Sequence, residues 1–114
     1  MKSLKYQFEY FCSPIWIKEN TIYENVNLED FPFNDKLKNE IEELDKVYQS
    51  TYNDDYPPEP IQIVIEKDIL FTESVIKFYK KLKIELSGEY EILFNEQQWF
   101  DRLSELKRKQ SNLQ

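Results

Sequence analysis

Within residues 35–52 the apolar side chains Leu37, Ile41, Leu44, Tyr48 and Tyr52 recur at spacings of four, three, four and four, which lays one stripe along a helix. A helix apolar along one stripe must bury it against a second layer, so this segment dictates that the rest of the chain supplies a sheet or further helices. Asn34 is suited to cap the start, and Asp35 places negative charge at the positive end of the helix dipole. Asn53 can take the left-handed conformation that ends a helix, and Pro57-Pro58-Glu59-Pro60 forbids its continuation.

The second layer is visible at the N-terminus. Leu4, Tyr6, Phe8 and Tyr10 alternate with Lys5, Gln7 and Glu9, the period of a half-buried strand, here expected over 5–11. After Ser13-Pro14, the Ile15-Trp16-Ile17 stretch reads as a second short strand or an extended edge, since Pro14 has no ladder donor. Residues 19–33 show no clear period and read as a loop anchored by Ile22, Tyr23, Val26, Leu28, Phe31 and Phe33. Ile61, Ile63 and Ile65 alternate like a strand. Phe71, Val75, Tyr79, Leu82 and Leu86 follow helical spacing, which predicts a second helix over 68–86. The single glycine, Gly88, is placed to close that helix. Tyr90, Ile92 and Phe94 then alternate as a strand. Asn95 with Gln98 resembles a capping box and opens a last helix carrying Trp99, Phe100, Leu103 and Leu106 on one face.

These elements predict an α/β (α+β) fold, in which a small sheet of the N-terminal strands and a strand at 89–94 packs against two central helices, with a C-terminal helix added. A chain of 114 residues buries roughly two-thirds of its unfolded surface, enough for one core, so 1–114 is expected to be a single domain with 110–114 as a frayed tail.

Absent residue types bound the chemistry. With no His there is no Ser-His-Asp or Cys-His pair, no imidazole proton shuttle and no ordinary Cys/His zinc site. One glycine cannot build a glycine-rich phosphate loop or a dinucleotide fingerprint. The expectation is a binding protein without catalytic residues, cofactor or metal. A net charge of −7 opposes binding to a nucleic-acid backbone. Cys12 stands alone and is expected to be a small buried hydrophobe rather than a reactive thiol. The N-terminal stretch is interrupted by Gln7 and Glu9 and has no signal-peptide core, and the longest aliphatic run is far short of the ~20 residues of a membrane helix. A cytoplasmic protein with no membrane partner is the expectation.

The acidity is local. Residues 19–59 hold 12 acidic and 3 basic residues, net −9, whereas 77–109 hold 8 basic and 6 acidic, net +2. Such a segment is either a solvated face or a docking surface for a basic partner, where complementary charge speeds association and selects the partner. The candidate partner-binding residues are Glu40, Glu43, Asp45, Asp54, Asp55, Tyr56 and Glu59, with Trp16 as a candidate aromatic contact. Tyr48 and Tyr52 lie on the apolar stripe and are assigned to the core. Asp54-Asp55 could in principle serve acid–base or hard-cation chemistry, but adjacent acids in a turn are more often solvated.

Four stretches carry a resemblance. They are the aromatic-Cys-x-Pro-Ile-Trp run over 10–16, Asn25-Val26 with Leu28-Glu29-Asp30-Phe31-Pro32, the run over 48–60 containing Asp55-Tyr56-Pro57-Pro58, and 82–94. Together, over about residues 6–94, they resemble a family of small bacterial proteins similar to immunity proteins of polymorphic toxin or contact-dependent growth inhibition systems. The resemblance implies a protein that binds and neutralises a cognate toxin domain, with a nuclease as the partner that would suit an acidic surface. It implies structural roles for a buried Trp and for the Asp-x-Pro-Pro turn, and none for the extension carrying Trp99 and Phe100. An oligomeric scaffold using exposed aromatics for self-association is the alternative.

Overall fold

The computed structural model describes residues 2–113; Met1 and Gln114, the ends of the single domain expected over 1–114, lie outside them. The order is β1 (Lys2–Tyr6), β2 (Ile15–Glu19), β3 (Ile22–Asn25), α1 (Asp35–Gln49), α2 (Ile65–Glu85), β4 (Tyr90–Leu93) and α3 (Glu96–Asn112). The strands form one mixed sheet in the order β3-β2-β1-β4, in which β1–β2 and β2–β3 are antiparallel and β1–β4 parallel. This is the α+β fold expected.

Register decides which side chains meet the helices. Leu4 stands opposite Ile17 and Ile92, and Tyr6 opposite Ile15, so these residues share one face. That face packs on Leu37, Ile41 and Leu44 of α1 and on Val75, Phe78 and Leu82 of α2. Tyr6 is fully buried, and its hydroxyl donates to the Val75 carbonyl at 3.3 Å. Burial holds its phenol well above the usual tyrosine range. The other sheet face carries Lys5, Trp16, Lys18 and Tyr23, with no helix among the described residues over it; the Lys5 ammonium lies 5.2 Å from the Trp16 ring and 5.0 Å from that of Tyr23.

Several local expectations are corrected. The ladder of β1 ends at Tyr6 rather than Phe11, because its partner strand begins just after Pro14. The Gln7 amide still donates to the Pro14 carbonyl at 2.9 Å, but Pro14 has no N–H to return. Alternation nevertheless persists beyond the ladder, with Phe8 buried and Tyr10 half-buried. The 15–17 segment is an interior strand, not an edge. The 19–33 loop contains β3, joined to β2 by a two-residue turn in which Asn20 adopts φ 67°. Ile22 is exposed and anchors nothing, whereas Leu28 and Phe31 are buried as expected.

Helix α1 begins as predicted, with the Leu37 amide donating to the Asn34 side chain at 2.9 Å, but ends at Gln49, three residues short of Tyr52. Asn53 is not left-handed; its side chain instead organises the following turn. Helix α2 starts at Ile65, three residues before the predicted start, and Ile61 and Ile63 form no strand. Gly88 is left-handed, at φ 88°, where a side chain would strain the turn into β4. Helix α3 opens with the Gln98 amide bonded to the Asn95 side chain at 3.2 Å. Trp99, Leu103 and Leu106 are half-buried, but Phe100 lies a step of 100° around the helix and is exposed. The helix runs to Asn112, through most of the segment expected to fray. No helix among the described residues is long and apolar enough to cross a membrane.

Candidate functional site

The C-terminal half of α1 and the two segments that lean on it carry Glu42, Glu43, Asp45, Asp54, Asp55 and Glu59. Tyr10 is the hinge of the arrangement. Its ring stacks on Tyr48 at 4.8 Å and meets Tyr52 edge-on at 5.1 Å, while its hydroxyl and the Thr51 hydroxyl share a hydrogen bond at 2.8 Å. The β1–β2 connection is thereby pinned against the end of α1.

Gln49 completes the attachment. Its Nε2 donates to the Glu9 carbonyl at 3.0 Å, the Cys12 carbonyl at 3.2 Å and Asp45 Oδ1 at 3.1 Å, and its Oε1 accepts from the Phe11 amide at 3.0 Å. A four-way clamp of this kind suits only an amide, which offers donors and an acceptor from one planar group. With Tyr10 turned inward, Phe11 is turned out, left-handed at φ 63° and 79% exposed. A cleft of about 660 Å³ opens beside it, lined by Cys12, Asn25, Glu29, Glu42, Asp45 and Gln49 among others. Burial pushes the Asp45 carboxyl above its ordinary 3.8, a rise opposed by the hydrogen bond from Gln49. Cys12 is half-buried on the cleft wall rather than buried in the core.

The turn after α1 continues this surface. Asn53 Oδ1 accepts from the Asp55 and Tyr56 amides at 3.0 and 3.1 Å, and its Nδ2 donates to the Glu59 carbonyl at 3.0 Å. The Ile61 amide donates to the Thr51 carbonyl at 2.8 Å and closes the loop. Asp54, Asp55, Tyr56 and Glu59 therefore project from a turn with a fixed backbone, and all four are exposed.

The candidate residues from the sequence thus divide. Asp45 and the 54–59 group lie on or next to the α1 terminus that Tyr10 and Gln49 organise. Glu43 is exposed, with Lys46 at 3.4 Å. Glu40 faces α2 instead, both its oxygens held by Lys81 at 2.7 and 2.8 Å, so its charge is paired within the chain at a half-buried position. Trp16 is brought to none of them. It is half-buried on the helix-free sheet face, donating to the Gln7 carbonyl at 3.1 Å, on the opposite side of the sheet from α1. The alternation that buries Ile15 and Ile17 requires this, and it also corrects the buried Trp implied by the resemblance. Among the described residues no three His, Cys, Asp or Glu side chains converge as a metal site.

Phe11, Gln49, Glu29 and Glu42 also line this surface and are not among the candidates that the sequence offers. The signal for Phe11 was present: two adjacent aromatics, Tyr10-Phe11, cannot both face the core from an extended segment. Glu42, Asp45 and Gln49 follow one another at helical spacing along the flank of the apolar stripe. Glu29 had no comparable mark, because its place on the cleft depends on β3, which the sequence pattern did not reveal.

No curated protein matches the chain. Residues 2–97 match the model of a family described as Serratia CdiI immunity protein-like.

Proposed function

The chain belongs to the Serratia CdiI immunity protein-like family, and from that premise we propose that it binds a cognate toxin domain stoichiometrically and neutralises it by docking through the acidic end of α1 and the 53–59 turn. The observation that carries the reading is the concentration of Asp45, Asp54, Asp55 and Glu59 on a surface whose backbone is held by Tyr10, Gln49 and Asn53. A rigid surface loses little conformational freedom on association, and like charges held together attract a basic partner from a distance. The toxin best suited to this surface is a nuclease, whose substrate groove must be basic to hold a phosphate backbone and can be blocked by carboxylates. No catalytic step is required of the immunity protein, which acts in the cytoplasm where the toxin would act.

The test is co-expression with the toxin encoded by the adjacent gene, followed by size exclusion of the two proteins. Protection from toxicity and a 1:1 complex are expected; persistent toxicity with no complex would overturn the reading. Reversing charge at Asp54, Asp55 and Glu59 together should slow association most at low salt, where the field is least screened. Unchanged kinetics would remove the turn from the interface.

A further inference from the structure

Phe11 is the least expected side chain on this surface. Among the described residues no large hydrophobic side chain is more exposed, and its backbone is left-handed, a conformation that bulky residues seldom adopt. Asn20, the other non-glycine residue at positive φ, sits in a two-residue hairpin turn, where that conformation is ordinary. The packing makes little use of a phenyl ring at position 11. Tyr10 supplies the contacts to Tyr48, Tyr52 and Thr51, while Phe11, 79% exposed, meets the Tyr52 ring edge-on at 4.7 Å between ring centres. The fold nonetheless fixes this residue. Its amide is held by Gln49, and the same Gln49 amide holds the carbonyls on either side, those of Glu9 and Cys12. A strained backbone that is held in place and ends in an exposed ring points to a use outside the fold.

We propose that Phe11 is the aromatic anchor of the toxin interface: its ring enters an apolar pocket on the cognate toxin domain, and Lys or Arg side chains at the rim of that pocket settle into the adjoining cleft. The proposal rests on the toxin-binding reading above and adds to it the residue on which affinity depends. Charge complementarity identifies the occupant. Among the described residues lining the cleft beside Phe11 are Glu29, Glu42 and Asp45 and no basic side chain, with Lys38 reaching Glu42 from outside at 4.0 Å, and the exposed Asp54, Asp55 and Glu59 follow directly from Tyr52, which the Phe11 ring meets. An aromatic ring surrounded by unlike polar groups is the usual composition of an interface hot spot, with the ring desolvated at the centre and the charges at the rim. Because the backbone of the loop is already clamped, presenting the ring costs little backbone ordering on binding.

The experiment measures affinity for the purified toxin domain of the adjacent gene, together with thermal melting, for the wild type, Phe11→Gly, Phe11→Trp and Ile84→Ala. Glycine accepts the left-handed backbone without strain, so Phe11→Gly removes the ring and leaves the loop in place. Ile84 is 74% exposed on α2 and serves as a control for loss of any surface apolar side chain. The expected result is a loss of at least about 30-fold for Phe11→Gly with its melting temperature kept or raised, and affinities within about threefold of wild type for Phe11→Trp and Ile84→Ala. Binding of Phe11→Gly within about threefold of a wild type that itself binds overturns this proposal and leaves the toxin-binding reading standing. A fall in melting temperature that accounts for the lost binding assigns Phe11 to the fold and also overturns it. A wild type that forms no complex overturns both.

Discussion

Replacing Gln49 by Ala removes the α1 side chain that is hydrogen-bonded to the β1–β2 connection and leaves the Tyr10–Thr51 bond just beyond the helix. It deletes the contacts to the Glu9 and Cys12 carbonyls, to Asp45 and from the Phe11 amide, at 3.0, 3.2, 3.1 and 3.0 Å. Each ordinary hydrogen bond contributes about 0.5–1.5 kcal/mol net. The two donors of one Nε2 are shared among three acceptors, and the half-buried site lets water replace part of what is lost. The sum is therefore nearer two full bonds than four, a destabilisation of about 2 kcal/mol. For a domain of this size that corresponds to a fall in melting temperature of roughly 6–10 °C. Urea unfolding followed by tryptophan fluorescence would measure it, with an unchanged m-value expected because the surface exposed on unfolding hardly changes. Gln49→Glu should cost more than Gln49→Ala, because it exchanges a donor for a carboxylate facing two carbonyls and Asp45. A Gln49→Ala stability within about 0.5 kcal/mol of wild type, or a Gln49→Glu variant as stable as wild type, would refute the idea that this amide holds the loop.

Asp45→Asn should raise stability at neutral pH. Burial lifts the folded-state pKa of Asp45 above 3.8, so the protonated form is favoured by the fold and its stability contribution is lost as pH rises through the folded value. The advantage of Asn should therefore vanish below about pH 3.8, and pH-resolved urea melts that show a pH-independent difference would contradict this. Asp68 and Arg102 join α2 to α3 at 2.9 and 3.1 Å, with Arg102 also donating to buried Thr72 at 3.3 Å. A double-mutant cycle with Asp68→Asn and Arg102→Met should give a coupling on the order of 1 kcal/mol, held down by the half-exposed Arg, and a coupling of zero would make the pair incidental. Trp99→Ala should cost about 2 kcal/mol by thermal melting, because its half-buried ring lies 5.8–6.3 Å from the rings of Phe8, Phe71 and Phe94; a cost near zero would mean α3 is dispensable to the core.

Most of the fold can be read from periodicity, because one buried face per element writes a regular pattern. The stripe Leu37, Ile41, Leu44 and the caps at Asn34 and Asn95 fall where the structure has them. β3 escaped because its four residues are an edge with no buried side chain, so no alternation was imposed on them; Asn20 alone marked its turn. Periodicity carries α1 on to Tyr52 because Tyr52 keeps the helical spacing while packing on Tyr10 from outside the helix. The candidate site was half legible. Local charge singles out Asp45, Asp54, Asp55 and Glu59 as candidates, but charge alone does not show that Glu40 is paired with Lys81 or that Trp16 is on the far side of the sheet. Those facts depend on how α1 lies against α2 and which way β2 faces.

If the fixed acidic surface recruits a basic toxin domain, the association rate with that domain must depend on ionic strength. Electrostatic recruitment predicts a rate that falls by at least about tenfold between roughly 0.02 and 0.2 M salt, with the dissociation rate much less affected. An association rate indifferent to salt, with a complex still formed, would contradict it.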